Sequence, residues 1–176
     1  MYASTYNVLA WKAIMRDPRD VVYGALPPLD IAGLSGRQVL QCMIEGRLPA
    51  PPIAERLGFF LVEVGEGVAV FEGDTGPHLL NPAGVVHGGW ALTLIDSVTG
   101  CAAYSTLPPD VAYTTVETKA NFTRPILADT GRVRAEGRVV SQGRQVLTAE
   151  AKVTDARGRV LAHGTSTLLV LQTPRG

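Results

Sequence analysis

This sequence predicts an α+β fold in which a strongly bent antiparallel sheet wraps one long helix, preceded by a helical extension. Three observations carry that prediction. The stretch from Gly88 to about Thr106 (GGWALTLIDSVTGCAAYST) is apolar almost all round, so it reads as a helix buried on every side. Four segments after it alternate with the two-residue period of strands. The strand faces expected to look inward carry small residues (Ala120, Ala135, Gly137, Ala149, Ala151, Ala162 and Gly164), which let a sheet close tightly on a helix.

Each element has its own local reason. Ser4 to Arg16 reads as a short amphipathic helix with Val8, Leu9, Trp11, Ile14 and Met15 as its apolar set, stopped by Pro18. Pro27-Pro28 marks an extended link. Ser35 to Glu45 reads as a second helix, capped by Ser35, with Val39, Leu40, Met43 and Ile44 on one side and Gly46 as its stop. Pro49, Pro51 and Pro52 predict an extended segment. We therefore expect residues 1–50 to form a helical extension and residues 51–176 the main domain.

From Leu57 the pattern turns to strands. Phe59 to Val64 and Val68 to Glu72 flank the turn Gly65-Glu66-Gly67, a hairpin pattern. A loop holding Gly73, Asp74, Gly76, Pro77 and Asn81-Pro82-Ala83-Gly84 leads into the long helix, which Pro108-Pro109 terminates. Tyr113 to Phe122 places Thr114, Val116, Thr118, Ala120 and Phe122 on one face, against Thr115, Glu117, Lys119 and Asn121. Arg132 to Val140, Gln145 to Asp155 and Val160 to Leu171 follow. The turns between them are short, so the four strands are expected to run as an antiparallel meander.

Composition excludes several function classes. Of 176 residues, 46% are hydrophobic and 18% charged, enough apolar material for a core and too little charge for a disordered chain. Lys+Arg is 16 and Asp+Glu is 16, so no basic excess invites nucleic acid. Near-neutral charge is compatible with self-association. No run of about 18 apolar residues predicts a membrane span, and no signal peptide is legible at the start. The two cysteines, Cys42 and Cys101, form no disulfide framework and suit a reducing, cytoplasmic compartment. No ligand spacing for a metal, no nucleophile elbow and no phosphate-binding or dinucleotide loop is present, so neither metal nor cofactor is expected.

The chemistry concentrates in Asn81 to Asp96 (NPAGVVHGGWALTLID). His87-Gly88-Gly89 opens the buried helix. A helix start offers unpaired N–H groups and a positive dipole end, and glycine lets a substrate approach the backbone, which makes an oxyanion site. Asp96 sits mid-helix among Leu92, Leu94, Ile95 and Val98, where an acid is a poor helix former and costly to bury. Such a carboxylate suits a base or nucleophile. Asp96 lies seven residues beyond Gly89, roughly 10 Å along the helix, whereas both groups must reach one reacting centre. If both are catalytic, they belong to two chains, with the site at a dimer interface.

These residues resemble a known family. NPAGVVHGGWALTLIDSVTG, with Asn81 six positions before His87-Gly88-Gly89 and an acid nine after the histidine, is similar to the acyl-CoA thioesterases of the hotdog superfamily, in the phenylacetic-acid-degradation (PaaI-like) branch. TTVETKANFTRP and the segment from Gly131 to Val170 resemble that branch's later strands, so the likeness spans about Pro52 to Leu171. The resemblance implies the hotdog fold and a set of roles. The N–H of Gly88 or Gly89 polarises the thioester carbonyl, and Asn81 and His87 orient substrate or water. Asp96 of a neighbouring subunit attacks or activates water. Thr115 places a hydroxyl near that water, with Thr114 as the alternative if the register is one off. The implied substrate is an aryl- or medium-chain acyl-CoA, with no cofactor. Arg124, Gly143 and Arg144 are candidates for its phosphates, with Arg132, Arg134 and Arg138 as rivals. A homodimer or homotetramer is implied, without nucleic acid or membrane as partner. The alternatives are a non-catalytic acyl-CoA-binding module and a hotdog hydratase.

Overall fold

The computed structural model describes residues 21–26 and 28–172, so the helix expected over Ser4 to Arg16 lies outside the described residues. The helices are α1 (Pro28–Ile31), α2 (Gly36–Ile44), α3 (Pro52–Leu57) and α4 (Gly88–Tyr104). The strands are β1 (Phe59–Gly65), β2 (Val68–Asp74), β3 (Val111–Phe122), β4 (Arg132–Gln142), β5 (Val146–Thr154) and β6 (Val160–Gln172). They form one antiparallel sheet in the order β1-β2-β4-β5-β6-β3, and α4 packs against its inner face.

That order corrects the expected four-strand meander. β3 and β4 are consecutive in sequence but not neighbours in the sheet: β4 pairs with β2, and β3 pairs with β6 at the far edge. The link over residues 123–131 is long enough to cross between them. Its course is fixed by hydrogen bonds from Thr123 and Arg124 N–H to Leu161 O and from Val86 N–H to Ile126 O.

The proline-rich segments are also less extended than expected. Pro28 opens the single turn α1, and Pro52 opens α3 at the first helical position, where the missing N–H costs nothing. Gly58, at φ 66°, ends α3. The helix expected at Ser35 forms: Ser35 Oγ accepts from Gln38 N–H while Gln38 Oε1 accepts from Ser35 N–H. Val39, Cys42 and Leu48 build a small core with Tyr104, and α2 packs against β1 and the end of α4.

Close approach of sheet and helix is visible atom by atom. A Cβ on Gly137 would sit 2.6 Å from Val98 O, so β4 lies directly on the backbone of α4. Ala91, Leu94, Ile95, Val98 and Ala102 are fully buried, and so are Ala135, Ala149 and Ala162 facing them. Trp90 is core, with its indole Nε1–H donating to Leu57 O at 2.8 Å. Among the described residues, no helix is long and apolar enough to cross a membrane.

Candidate active site

The start of α4 is held from three sides. Asn81 Oδ1 accepts from Ala83 N–H (2.9 Å) and Val85 N–H (3.3 Å), closing the loop that Gly84 turns at φ 78°. His87 N–H donates to Leu79 O at 2.8 Å, and Val86 N–H to Ile126 O at 2.8 Å. The Asn81 side-chain oxygen therefore shapes the loop.

His87 is the N-cap residue of α4, and its Nδ1 accepts from Gly89 N–H at 2.9 Å. An accepting Nδ1 fixes the neutral tautomer with hydrogen on Nε2. Of the two candidate oxyanion donors, Gly89 is thus engaged. Gly88 N–H has no acceptor among the described residues. The Phe122 ring stands over Gly88: a Cβ there would lie 3.0 Å from Phe122 Cζ. Glycine keeps this helix tip, with its positive dipole end, open beside an aromatic wall.

Asp96 is two turns further on, half-buried, with Oδ1 accepting from Thr118 Oγ1–H at 2.9 Å. Oδ2 makes no hydrogen bond among the described residues. Behind Thr118, Ser166 Oγ lies at 3.0 Å, and Thr99 Oγ1 lies 2.7 Å from Ser166. Burial, with Asp96's charge adding to it, pushes the Cys101 thiol up to about 12 and drives the Tyr113 phenol well above its ordinary range. Both groups stay neutral beside the carboxylate.

The hydroxyl bonded to Asp96 within the chain is that of Thr118. A bulge lies between Thr115 and Glu117. It extrudes Val116, which is 64% exposed, and reverses the alternation, so Tyr113 and Thr115 face inward before it and Thr118 and Ala120 after it. The single face expected for Thr114, Val116, Thr118 and Ala120 is therefore broken at its first two members. Thr115 is the inward residue, paired with the fully buried Leu168, and Thr114 points away. Sequence reasoning passed over Ser166 as a site residue. The available clue was a hydroxyl in the otherwise apolar inward row Ala162, Gly164, Leu168.

One chain does not bring the two halves together. Gly88 and Asp96 are eight residues apart on one helix, about 12 Å, and Phe122 and Thr118 are four residues apart on β3, about 13 Å. The candidate phosphate ligands are separated too. Arg124 lies at the helix-tip end of the sheet, where its Nη1 donates to Val160 O at 2.6 Å. Gly143 and Arg144 are exposed in the β4–β5 turn at the opposite end. Arg132, Arg134 and Arg138 are paired with Asp74, Glu63 and Glu136 on the sheet surface.

A thioesterase superfamily model matches residues 83–162, which span both halves of this arrangement. A Saccharolobus solfataricus protein bearing an esterase name is 30% identical over 124 residues, covering 70% of this chain and 86% of that protein. The solved structure of a conserved Pseudomonas aeruginosa protein has 35% identity and a TM-score of 0.65, covering 69% of this chain and 95% of that one. A phenylacetic acid degradation-related protein from Ralstonia eutropha has 27% identity and a TM-score of 0.68, covering 74% and 98%.

Proposed function

This chain belongs to the thioesterase superfamily as a hotdog thioester hydrolase of the PaaI-like branch, and from that membership we propose that it cleaves aryl- or medium-chain acyl-CoA thioesters into free acid and CoA. The observation that carries the reading is the pair of uncommitted groups on α4: a backbone donor at the tip and a carboxylate oxygen two turns in.

The thioester oxygen accepts from Gly88 N–H, and the charge it gains on attack is stabilised by the positive end of α4. Asp96 Oδ2 takes a proton from water that attacks the carbonyl carbon, or attacks that carbon itself, expelling the thiolate and leaving an aspartyl anhydride that water then hydrolyses to the free acid. In the water route the tetrahedral intermediate expels the CoA thiolate, which takes the proton back from Asp96. A thiolate leaves readily, so one carboxylate and one oxyanion donor suffice. Asn81 Nδ2 and His87 Nε2–H orient the thioester, and the Thr115 hydroxyl stands beside the water. Because the two groups are about 12 Å apart on one helix, Asp96 acts on a thioester held by the Gly88 of a second copy, in a dimer or a pair of dimers. Arg124, Gly143 and Arg144 are our candidates for the CoA phosphates.

The test is thiol release from a panel of aryl- and fatty acyl-CoAs. Asp96→Ala and Asp96→Asn should lose about 10²- to 10⁴-fold in kcat with unchanged circular dichroism. Turnover equal to the parent in both variants would overturn the assignment.

A further inference from the structure

We propose that Thr118 is a positioning residue for Asp96, backed by Ser166 and Thr99, so that Oδ1 is held and Oδ2 is the oxygen left to react. The inference rests on the reading of Asp96 as the catalytic carboxylate.

Three hydroxyls run from helix to sheet and back to the acid. Thr99 Oγ1 is 2.7 Å from Ser166 Oγ, Ser166 Oγ is 3.0 Å from Thr118 Oγ1, and Thr118 Oγ1 is 2.9 Å from Asp96 Oδ1. Thr118 and Ser166 are direct cross-strand partners on the inner face of β3 and β6, which aims both at α4. Thr99 and Ser166 are fully buried, so water does not replace these contacts.

Proton counting fixes the last step. Each hydroxyl has one hydrogen, and an ionised carboxylate only accepts. Thr118 therefore gives its hydrogen to Oδ1. Its oxygen can then only accept. Thr99 Oγ1–H donates along its own helix, to Ile95 O at 2.8 Å with Asp96 O at 3.1 Å, so the single Ser166 hydrogen is shared between Thr99 and Thr118, and only the step from Thr118 to the acid has a fixed direction. The Thr118 hydrogen bond stops the carboxylate rotating about Cβ–Cγ. Among the described residues, the titratable groups coupled to Asp96 are Cys101 on α4 and Tyr113 on β3, both neutral through the working range, while β6 presents Ser166.

A string that merely tied helix to sheet would lower the melting temperature without splitting kcat from KM. The experiment compares Thr118→Val, Thr118→Ser, Ser166→Ala and Asp96→Asn with the parent, using benzoyl-CoA and hexanoyl-CoA as probes. Circular dichroism and melting curves confirm folding. Thr118→Val should lose about 10- to 100-fold in kcat, the range expected for a hydrogen bond to a charged group, with KM nearly unchanged. Thr118→Ser should restore kcat, and Ser166→Ala should fall between. The proposal is overturned if Thr118→Val keeps the parent's kcat while Asp96→Asn is inactive, or if Ser rescues no better than Val. If Asp96→Asn still turns over, it is the catalytic reading that fails. The ¹³C-carboxyl NMR shift of Asp96 at one fixed pH then decides the positioning alone, and identical shifts in parent and Thr118→Val reject it.

Discussion

Gly137 and Gly164 sit where the fold has no room for a methyl group. A Cβ on Gly164 would lie 2.1 Å from Lys119 O and 3.0 Å from Ile95 Cγ2; one on Gly137 would lie 2.6 Å from Val98 O. The obstacles are mostly backbone, so they do not yield by a change of rotamer. Gly137→Ala and Gly164→Ala should each destabilise by about 3 kcal/mol, seen as a fall of about 10 °C in Tm. Gly131 and Gly158 meet no atom within 4 Å at a Cβ, and their cost on substitution is only the strain of φ 80° and φ 74°. The small residues on the inward faces were legible from the strand period. Which of them touches helix backbone was not, because that depends on where α4 lies across the sheet.

The β5–β6 connection is held by one carboxylate. Asp155 Oδ1 accepts from Arg157 N–H (3.0 Å) and Arg159 N–H (2.9 Å), and Oδ2 from Arg159 Nε–H (2.7 Å). Burial alone would raise this carboxyl, but the Arg159 backbone and guanidinium donors and the Arg157 N–H outweigh it and hold it below its ordinary range. Asp74, gripped bidentately by Arg132, is lowered in the same way by that guanidinium. A carboxyl lowered by folding contributes stability above its unfolded pKa and loses it as pH falls through the folded value. Asp155→Asn should therefore melt below the parent at about pH 7, and the gap should close as pH approaches about 3. A gap that widens toward acid would contradict this. The turn Asp155-Ala156-Arg157-Gly158 and the strands on either side were readable from the spacing of Asp, Gly and alternating apolar residues. The bulge at Val116 was not, since an extra residue in one strand is decided by its partner.

In the whole molecule, the two edges of the sheet differ. β1 is packed against α2 and α3, whereas β3 presents Val116 at 64% and Phe122 at 55% exposure on the opposite edge. That edge suits a second copy, and a composite site has a direct test. Gly88→Pro removes the proposed oxyanion N–H at the first helical position, where the backbone accepts proline after the extended His87 (ψ 131°), and the exposed Phe122 ring, 3.0 Å from a Cβ there, turns aside. Homo-oligomers of Gly88→Pro or of Asp96→Asn should be nearly inactive. Refolded as an equal mixture, they should recover about a quarter of parental turnover, since half the dimers are hybrid and each hybrid keeps one intact site of two. No recovery from a mixture shown to exchange subunits would argue for a site within one chain. Arg124→Ala and Arg144→Ala should raise KM for acyl-CoA and leave kcat nearly unchanged, the pattern of binding lost equally from ground and transition states.

Periodicity and local chemistry were sufficient for the elements: the buried helix, the alternating strands, the Ser35 cap and the concentration of reactive groups between Asn81 and Asp96 are all properties of neighbours along the chain. Long-range pairing settled the rest. It sent β3 to the far edge, turned Thr118 rather than Thr114 or Val116 toward the acid, and put Ser166 behind it. Those outcomes depend on which distant backbone satisfies which hydrogen bond, and that balance exists only once the sheet has closed around the helix.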